Sequence, residues 1–333
     1  MNAFSSRRGV LCLAAAAASA STTALLPHAV FAAGFPDRPL KFIVPFNPGG
    51  NVDSVGRLLA AALGPLLRQP VVVDNRSGAG GSLVANLVVQ SPPDGYTLMV
   101  GSNGPLTINP FVLAKLQYKP LEDLAPVALV GTVPHVLIAN NSLAAKSLQE
   151  LIALSKKESL GCASSGVGSA THLTLARFSA QTGARMKHVP YRGGNSLVPD
   201  LLGGAVQLAS MELSTALPLH VGGKARILGV AASRRSPLAP DVPTFIEGGV
   251  AGFTAQSYVG LLAPVRTPPS ILAQLESASM AAIGSPEMAA RLKSIGMQVA
   301  EPADRTAAGF AKLLKTDYAA TREAVRIANI QPE

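Results

Sequence analysis

The segment Val44-Pro-Phe-Asn-Pro-Gly-Gly-Asn-Val-Asp53-Ser-Val-Gly-Arg-Leu-Leu59 joins two different patterns. The apolar run at 40–46, which leads into it, predicts a strand. Apolar residues at three- and four-residue spacing from Val52 to Leu66 predict a helix. The prolines and glycines between them make a tight turn, and they also allow the backbone to approach a ligand closely.

The alternation of strand and helix continues along the chain. A second helical pattern covers 173–180. Further strand-like runs lie at 70–74, 96–101, 133–139, 187–191, 206–211, 227–231 and 259–263. Alternating strands and helices predict an α/β protein with largely parallel sheets.

Two apolar runs predict crossings between two lobes. The run at 127–140 is too long for one typical strand, and the run at 258–264 predicts a second apolar strand. We expect a first lobe made of 33–139 and 260–333, and a second lobe made of 140–259. The helical patterns between 270 and 322 are expected to pack back on the first lobe.

Residues 1–32 have the composition of a signal peptide. Arg7 and Arg8 precede an Ala-rich apolar run, and Val30-Phe-Ala32 offers the small residues of a cleavage site. We expect export to the periplasm with cleavage after Ala32. The Arg7-Arg8 pair also fits a twin-arginine signal, so the general route and the twin-arginine route both remain open. No later apolar run is long enough to predict a membrane-spanning helix.

The composition argues against several classes of function. With 48% hydrophobic and 14% charged residues, the chain is expected to bury a sizeable core. The leader holds two of the 28 basic residues and none of the 19 acidic ones, so the mature chain carries a net charge of +7. The basic residues are scattered, and the chain has no Trp and only 5% aromatic residues, which argues against nucleic-acid binding.

Cysteine and histidine usage predicts neither a disulfide nor a metal site. Only Cys162 remains after cleavage of the leader, and no His-x-x-x-His pair occurs. We therefore expect no metal and no other cofactor.

Five strand-terminal loops are rich in Gly, Ser and Asn. They lie at 47–51, 77–82, 101–104, 164–169 and 192–195. In an open parallel sheet such loops meet at the carboxyl ends of the strands, where backbone N–H groups at helix N-termini favour an anion. Any one loop is also explained by the steric needs of a turn, but five together predict an anion site between two lobes.

The same loops also contain residue types found in enzyme active sites. Ser164 or Ser165, with His172 and Asp53, supply the residue types of a hydrolase triad, but no Gly-x-Ser-x-Gly elbow surrounds either serine. The loop at 77–82 lacks the lysine of a P-loop and the spacing of a dinucleotide fingerprint. We expect no enzyme activity, and a hydrolase using Ser164 and His172 is the least favoured alternative.

A collinear series of motifs extends through essentially the whole mature chain. The series is Phe35-Pro-Asp-Arg-Pro39, Val44-Pro-Phe-Asn-Pro-Gly-Gly50 with Asp53, Gln69-Pro-Val-Val-Val-Asp-Asn-Arg76, Gly78-Ala-Gly-Gly81, Pro93-Asp-Gly-Tyr-Thr-Leu98, Ala163-Ser-Ser-Gly166 with His172-Leu173, His188-Val-Pro-Tyr191, Asp241-Val-Pro-Thr244 and Gly260-Leu-Leu-Ala-Pro264. It resembles the substrate-binding proteins of tripartite tricarboxylate transporters, also called the Bordetella uptake gene family.

This resemblance implies a fold and a function. The fold is a two-lobed periplasmic binding protein of the type II, Venus-flytrap kind, with a ligand cleft between two α/β domains joined by two crossing strands. The function is capture of a small organic acid, by hinge closure around its carboxylate, for membrane transporter subunits. The expected protein is a monomer. The same closed form docking on a membrane sensor is the alternative.

The resemblance also implies a site built from two opposing loops, 47–53 and 164–172, with additions from other strand ends. The predicted ligand-binding residues are Asn47, Gly49, Gly50, Asn51, Asp53, Gly78, Ser102, Asn103, Ser164, Ser165, Gly166, Ser169, His172, Tyr191 and Met211. Glycine backbones and serine hydroxyls supply donors for an anion. Asp53 would repel an anion, so we expect it to brace its loop by accepting backbone N–H groups. His172 either donates to the anion or packs against its helix.

One position departs from the family pattern. Members commonly have Asp-Asn where this chain has Met211-Glu212. A thioether is a weak acceptor and an adaptable apolar surface, so Met211 cannot hold an amino group. We hypothesise that the ligand is not an amino acid and has an apolar or aromatic body. In the alternative, Glu212 turns inward and replaces the missing acid.

Overall fold

The computed structural model describes residues 34–327 and residue 332, so the predicted signal peptide at 1–32 lies outside them. The strands are β1 (Leu40–Val44), β2 (Val71–Asn75), β3 (Thr97–Gly101), β4 (Leu124–Asn140), β5 (Leu160–Ser164), β6 (Met186–Pro190), β7 (Leu208–Glu212), β8 (Ala225–Val230), β9 (Gln256–Pro264) and β10 (Gln298–Val299). The helices are α1 (Asn51–Leu67), α2 (Ser82–Val89), α3 (Asn109–Val112), α4 (Pro120–Asp123), α5 (Leu148–Lys157), α6 (Ala170–Thr182), α7 (Val198–Gly203), α8 (Leu213–Val221), α9 (Pro269–Gly284), α10 (Pro286–Ser294) and α11 (Ala307–Ile327). None of the helices described is long and apolar enough to cross a membrane.

The strands form two parallel groups on either side of an antiparallel centre. The order is β2-β1-β3-β9-β4-β7-β5-β6, with β8 and β10 also pairing with β4. β1 is parallel to β2 and β3, and β5 is parallel to β6 and β7. β9 and β4 are antiparallel to each other and to the neighbouring groups. The predicted parallel pairing therefore holds within each group, and the two crossing strands add the antiparallel pairs.

β4 serves both groups because it changes partners along its length. Its residues from Leu124 to Pro134 pair with β9, and those from His135 onward pair with β7 and β8. Pro134, at the change, has no backbone N–H to donate to a ladder. One strand of 17 residues thus connects the two groups.

Each group has its own hydrophobic core. One core packs Ile43, Met99 and Leu262 with Phe310 and Leu314 of α11, and the other gathers a separate set of side chains around Phe178, Phe245 and Phe253. The three phenylalanine rings of the second core contact one another with centroid distances of 5.2 to 6.3 Å. Two cores joined through β4 and β9 make two lobes. The lobe limits predicted at 139/140 and 259/260 stay a prediction.

The contact between β9 and α11 depends on a glycine. A Cβ atom on Gly260 would overlap the Phe310 ring and come within 2.9 Å of the carbonyl oxygen of Ala128. Because Gly260 has no side chain, Phe310 packs directly on β9 and holds α11 against the strands of the first core.

Candidate functional site

The loop between β1 and α1 forms the first wall of the site and is held by Asp53. Oδ2 of Asp53 accepts hydrogen bonds from Gly49 N at 2.8 Å and from Arg57 Nε at 3.0 Å. Oδ1 accepts from Asn75 Nδ2 at 2.9 Å. Burial alone would raise the pKa of Asp53, but the hydrogen bonds from Arg57, Gly49 and Asn75 outweigh it and lower that pKa. Asp53 therefore faces its own loop as an ionised brace.

The loop between β5 and α6 forms the opposite wall. Ser169 begins α6, where its Oγ accepts from His172 N at 3.2 Å and donates to Gly166 O at 2.7 Å. Ser164 Oγ lies 2.6 Å from His188 Nε2. Two of the loop's hydroxyl groups thus have partners within the second lobe.

His172 and His188 form a stacked pair beside this loop. Their ring centroids lie 3.9 Å apart and the planes differ by 8°. Burial, followed by the neighbouring His172, lowers the pKa of His188 to about 4. The side chains of the hydrolase alternative therefore bond to other partners. Ser164 contacts His188, and Asp53 accepts from Arg57 and Asn75.

A small cavity lies where the two loops meet. Its volume is about 20 Å³, which is the space of roughly one water molecule. Its walls are Phe46, Gly50, Asn51, Val52, Ser102, Ser165, Ser169, Ala170, Gly194, Glu212 and Ser257. Five of the residues predicted from the sequence are among them, namely Gly50, Asn51, Ser102, Ser165 and Ser169.

Two buried polar atoms of this cavity have no hydrogen-bond partner in the part of the chain that the structure describes. They are Asn51 Nδ2, from the first turn of α1, and Ser165 Oγ, from the opposite loop. Asn51 is 4% exposed and Ser165 is 7% exposed. Oδ1 of Asn51 accepts from Ser214 Oγ at 3.0 Å, which orients the side-chain amide with its NH₂ group directed away from Ser214. A buried donor without a partner is costly, and both atoms are placed to donate to an acceptor inside this cavity.

The other predicted residues lie outside this small cavity. Gly49 and Asp53 belong to the brace just described. Asn103 donates to Asp317 Oδ2 at 3.2 Å and accepts from Tyr258 N at 3.0 Å, and Tyr191 donates to Asp200. The remaining residues that do not line it are Asn47, Gly78, Ser164, Gly166, His172 and Met211.

At the end of β7, Glu212 rather than Met211 lines the cavity. Met211 is fully buried, and alternate side chains of a strand point to opposite faces. Burial raises the pKa of Glu212, which is 8% exposed and accepts from Ser257 Oγ at 3.3 Å. Sequence analysis missed Ser257 and Gly194 as wall residues. The period-two alternation within β7 is the signal that separates Met211 from Glu212.

A second, larger cavity adjoins the first. It holds about 1080 Å³ and lies between α6 and α11, beside β4. His135, Arg177 and Asp317 are on its walls, and Ala170 is shared with the small cavity. Asp317 accepts from Thr107 Oγ1 at 2.5 Å, and burial raises its pKa. No group of three His, Cys, Asp or Glu side chains suited to a metal occurs among the residues described.

Comparison with known proteins relates this architecture to a family. The chain matches the sequence model of the tripartite tricarboxylate transporter family receptor over residues 55–325. The protein BugT of Bordetella pertussis is 41% identical over 257 residues, which cover 76% of this chain and 78% of BugT.

Solved structures agree with the sequence match. Rpa4515 of Rhodopseudomonas palustris, solved with adipate, is 32% identical, has a TM-score of 0.85 and matches 90% of this chain and 100% of its own. MatC of the same organism, solved with bound malate, is 33% identical, has a TM-score of 0.84 and matches 87% of this chain and 100% of its own. The predicted resemblance and the two-lobed α/β fold are confirmed. The chain belongs to the tripartite tricarboxylate transporter receptor family.

Proposed function

We propose that this protein captures a small organic carboxylate in the periplasm for a tripartite tricarboxylate-type uptake system. The observation that carries the proposal is the pair of buried, unpartnered atoms, Asn51 Nδ2 and Ser165 Oγ, on opposite walls of one cavity. A carboxylate has two oxygen atoms and accepts from donors on both sides at once.

The surroundings of the cavity favour an anion. Asn51 opens α1, whose first N–H groups and dipole attract negative charge. A hydrogen bond to a charged group contributes about 1.5 to 3 kcal/mol. The proteins solved with adipate and malate support a ligand of this class.

Binding requires the lobes to separate and close. The cavity of about 20 Å³ has walls from α1 and from the β5–α6 loop, and it is smaller than a dicarboxylate. β4 and β9 connect the lobes, so a hinge in these strands is the motion that opens the cavity. The ligand carboxylate then joins donors from both lobes in the closed form.

The primary test is a thermal-shift and calorimetric screen with adipate, malate and aspartate, followed by two variants. A carboxylate that binds the folded state raises its melting temperature. We expect S165A and N51A each to weaken binding about tenfold or more, because each removes a donor to a charged group. S159A, at an exposed serine of the same lobe, should bind as the wild type does. Equal binding by S165A, N51A and S159A would contradict the proposed site.

The role in uptake needs a separate test. Deletion of the gene should abolish growth on the bound acid. In a separate experiment, mass spectrometry should find the acid chemically unchanged after incubation with the purified protein. Normal growth together with loss of a ligand-induced reporter response would instead identify a sensor component.

A further inference from the structure

A hydrogen-bonded chain crosses the wall between the two cavities. Ser257 Oγ lies 3.3 Å from Glu212 Oε1 and 2.7 Å from His135 Nε2. His135 Nδ1 lies 2.6 Å from Thr174 Oγ1, which is 2.9 Å from the carbonyl oxygen of Ala170. Glu212 and Ser257 line the small cavity, whereas His135 and Thr174 line the large one.

One arrangement of protons suits an ionised Glu212. Thr174 donates its hydroxyl proton to His135 Nδ1, and His135 donates from Nε2 to Ser257. Ser257 then donates to the carboxylate of Glu212. Each side chain uses its single proton once, and every buried group of the chain is paired.

A second arrangement suits a neutral Glu212. Glu212 donates to Ser257, and Ser257 donates to Nε2 of His135. His135 now donates from Nδ1 to Thr174, which donates to the carbonyl oxygen of Ala170. This arrangement holds one more proton than the first, and again no group of the chain is unpaired.

The surroundings of Glu212 favour the neutral form when an anion enters. Burial raises the pKa of Glu212, and burial together with Arg177 lowers the pKa of His135 to about 3, so His135 stays neutral and only its tautomer changes. The ionisable side chains on the walls of the two cavities are Glu212, His135, Arg177, Asp317 and Glu323. On the elements nearest the small cavity, Asp53 of α1 is bound to Arg57, His188 of β6 is bound to Ser164, and His172 of α6 stacks on His188.

We propose that Glu212 takes up one proton when the pocket binds a carboxylate, and that the Thr174–His135–Ser257 chain accommodates both charge states. An ionised Glu212 beside an anionic ligand would repel it, and neutralisation removes that repulsion. The net change is one proton taken from solution, while Thr174, His135 and Ser257 keep their charge. Glu212 is then a specificity residue that admits a carboxylate. This inference rests on the proposed function.

The consequence is measurable as a pH dependence of affinity. Where free Glu212 is ionised, uptake of one proton makes the Kd rise towards tenfold for each unit of rising pH. Where free Glu212 is already protonated, the Kd no longer depends on pH, so affinity is highest on the acid side. Adipate and malate are fully ionised above about pH 6.5, so the slope above that value reports on the protein.

The test is calorimetric titration of adipate and malate into wild type, E212Q and E158Q between about pH 6.5 and about 9. Heats in buffers of different ionisation enthalpy count the protons taken up. We expect the wild-type Kd to rise with pH and proton uptake to approach one. The Kd of E212Q should stay within about twofold over the range, because its amide cannot ionise. E158Q removes an exposed acid of the second lobe and should keep the wild-type slope.

Three outcomes would overturn the inference. A flat wild-type Kd without proton uptake would show that Glu212 does not change its charge. Binding by E212Q more than tenfold weaker than wild type at about pH 6.5, together with preferential binding of aspartate by the wild type, would show that an ionised Glu212 holds an amino group. Failure of wild type and E158Q to bind any of these acids at any pH would refute the proposed function itself, and this inference with it.

Discussion

Asp53 is the only charged residue in segment 44–56, and its carboxylate organises the loop before α1. Its partners are a backbone N–H, an amide and a guanidinium, all on the first lobe. An acidic residue within a sequence motif for anion binding therefore need not face the anion. The expected repulsion between Asp53 and an anion is reduced because the carboxylate faces its own loop and is paired with the charge of Arg57.

D53A should lower the free energy of unfolding by about 1 to 3 kcal/mol, because three donors lose their acceptor. It should also weaken ligand binding, since Gly49 is no longer held. Urea unfolding and calorimetry measure the two effects. D241A, at an exposed acid, is the control and should change stability by less than about 0.5 kcal/mol. Equal losses in both variants would show that Asp53 does not brace the loop.

The lowered pKa of Asp53 predicts a stability loss in acid. Its folded pKa lies below its unfolded value of about 3.9, so its contribution is fully present above that value and is lost as the pH falls through the folded pKa. The difference in unfolding free energy between wild type and D53N should therefore shrink below about pH 4. A difference that stays constant down to about pH 2 would contradict this assignment.

The sequence predicted which loops surround the small cavity better than it predicted which side chains enter it. Glycine, serine and asparagine after a strand mark a loop, and α1 and α6 begin where those loops end. From β7, Met211 was expected to face the ligand, whereas Glu212 lines the small cavity. Ser257 lies at the start of β9, just before the apolar run at 258–264, and only the pairing of β9 with β4 brings it beside His135.

At the level of elements, the packing of α11 on β9 depends on the absence of one side chain. Gly260 contacts the Phe310 ring, so any Cβ atom there must displace α11 or bend β9. Phe310 is fully buried in the first core, and α11 also places Asp317 on the larger cavity. A change in this contact would move a wall of that cavity.

G260A should destabilise the protein by about 1 to 3 kcal/mol through overpacking. The matched control is G203A, because a Cβ atom on Gly203 meets nothing within 4 Å and the residue ends α7. G203A should be neutral or stabilise by about 0.4 to 1 kcal/mol. Thermal unfolding compares the two, and a G260A variant as stable as G203A would show that α11 is not tightly packed there.

Strand β4 illustrates what the sequence reveals about elements. Its length and apolar character predicted a crossing between lobes, and the structure has one strand with two sets of partners. The antiparallel pairing of β4 with β9 did not follow from local pattern, because pairing joins segments far apart in the chain. The lobe boundaries likewise depend on how the shared strands are divided.

For the whole molecule, the small cavity and the two connecting strands lead to a test of the proposed hinge motion. Cys162 is fully buried, and burial raises the pKa of its thiol to about 12, so it should not react with labelling reagents. Q90C on the first lobe and R185C on the second place new thiols at exposed positions. A spin-label pair at these sites should show a broad distance distribution without ligand.

Adding a carboxylate that binds should shift this distribution towards the distance between positions 90 and 185 in the present structure. Pulsed dipolar spectroscopy measures the shift, and the same labels on an S165A background should need more ligand to produce it. A pair placed within one lobe, at Q90C and K41C, is the control and should not change. An inter-lobe distribution that ignores saturating ligand would contradict hinge closure.

The proposed closure over the small cavity also has a kinetic consequence. If the lobes close on a carboxylate as proposed, a ligand between α1 and the β5–α6 loop leaves only when they part, so its dissociation rate cannot exceed the opening rate of the closed complex. A ligand that stabilises the closed form more strongly therefore slows opening and stays longer. Preference among related acids then resides in residence time, and the slowest opening belongs to the acid that leaves the fewest donors of the cavity unpaired.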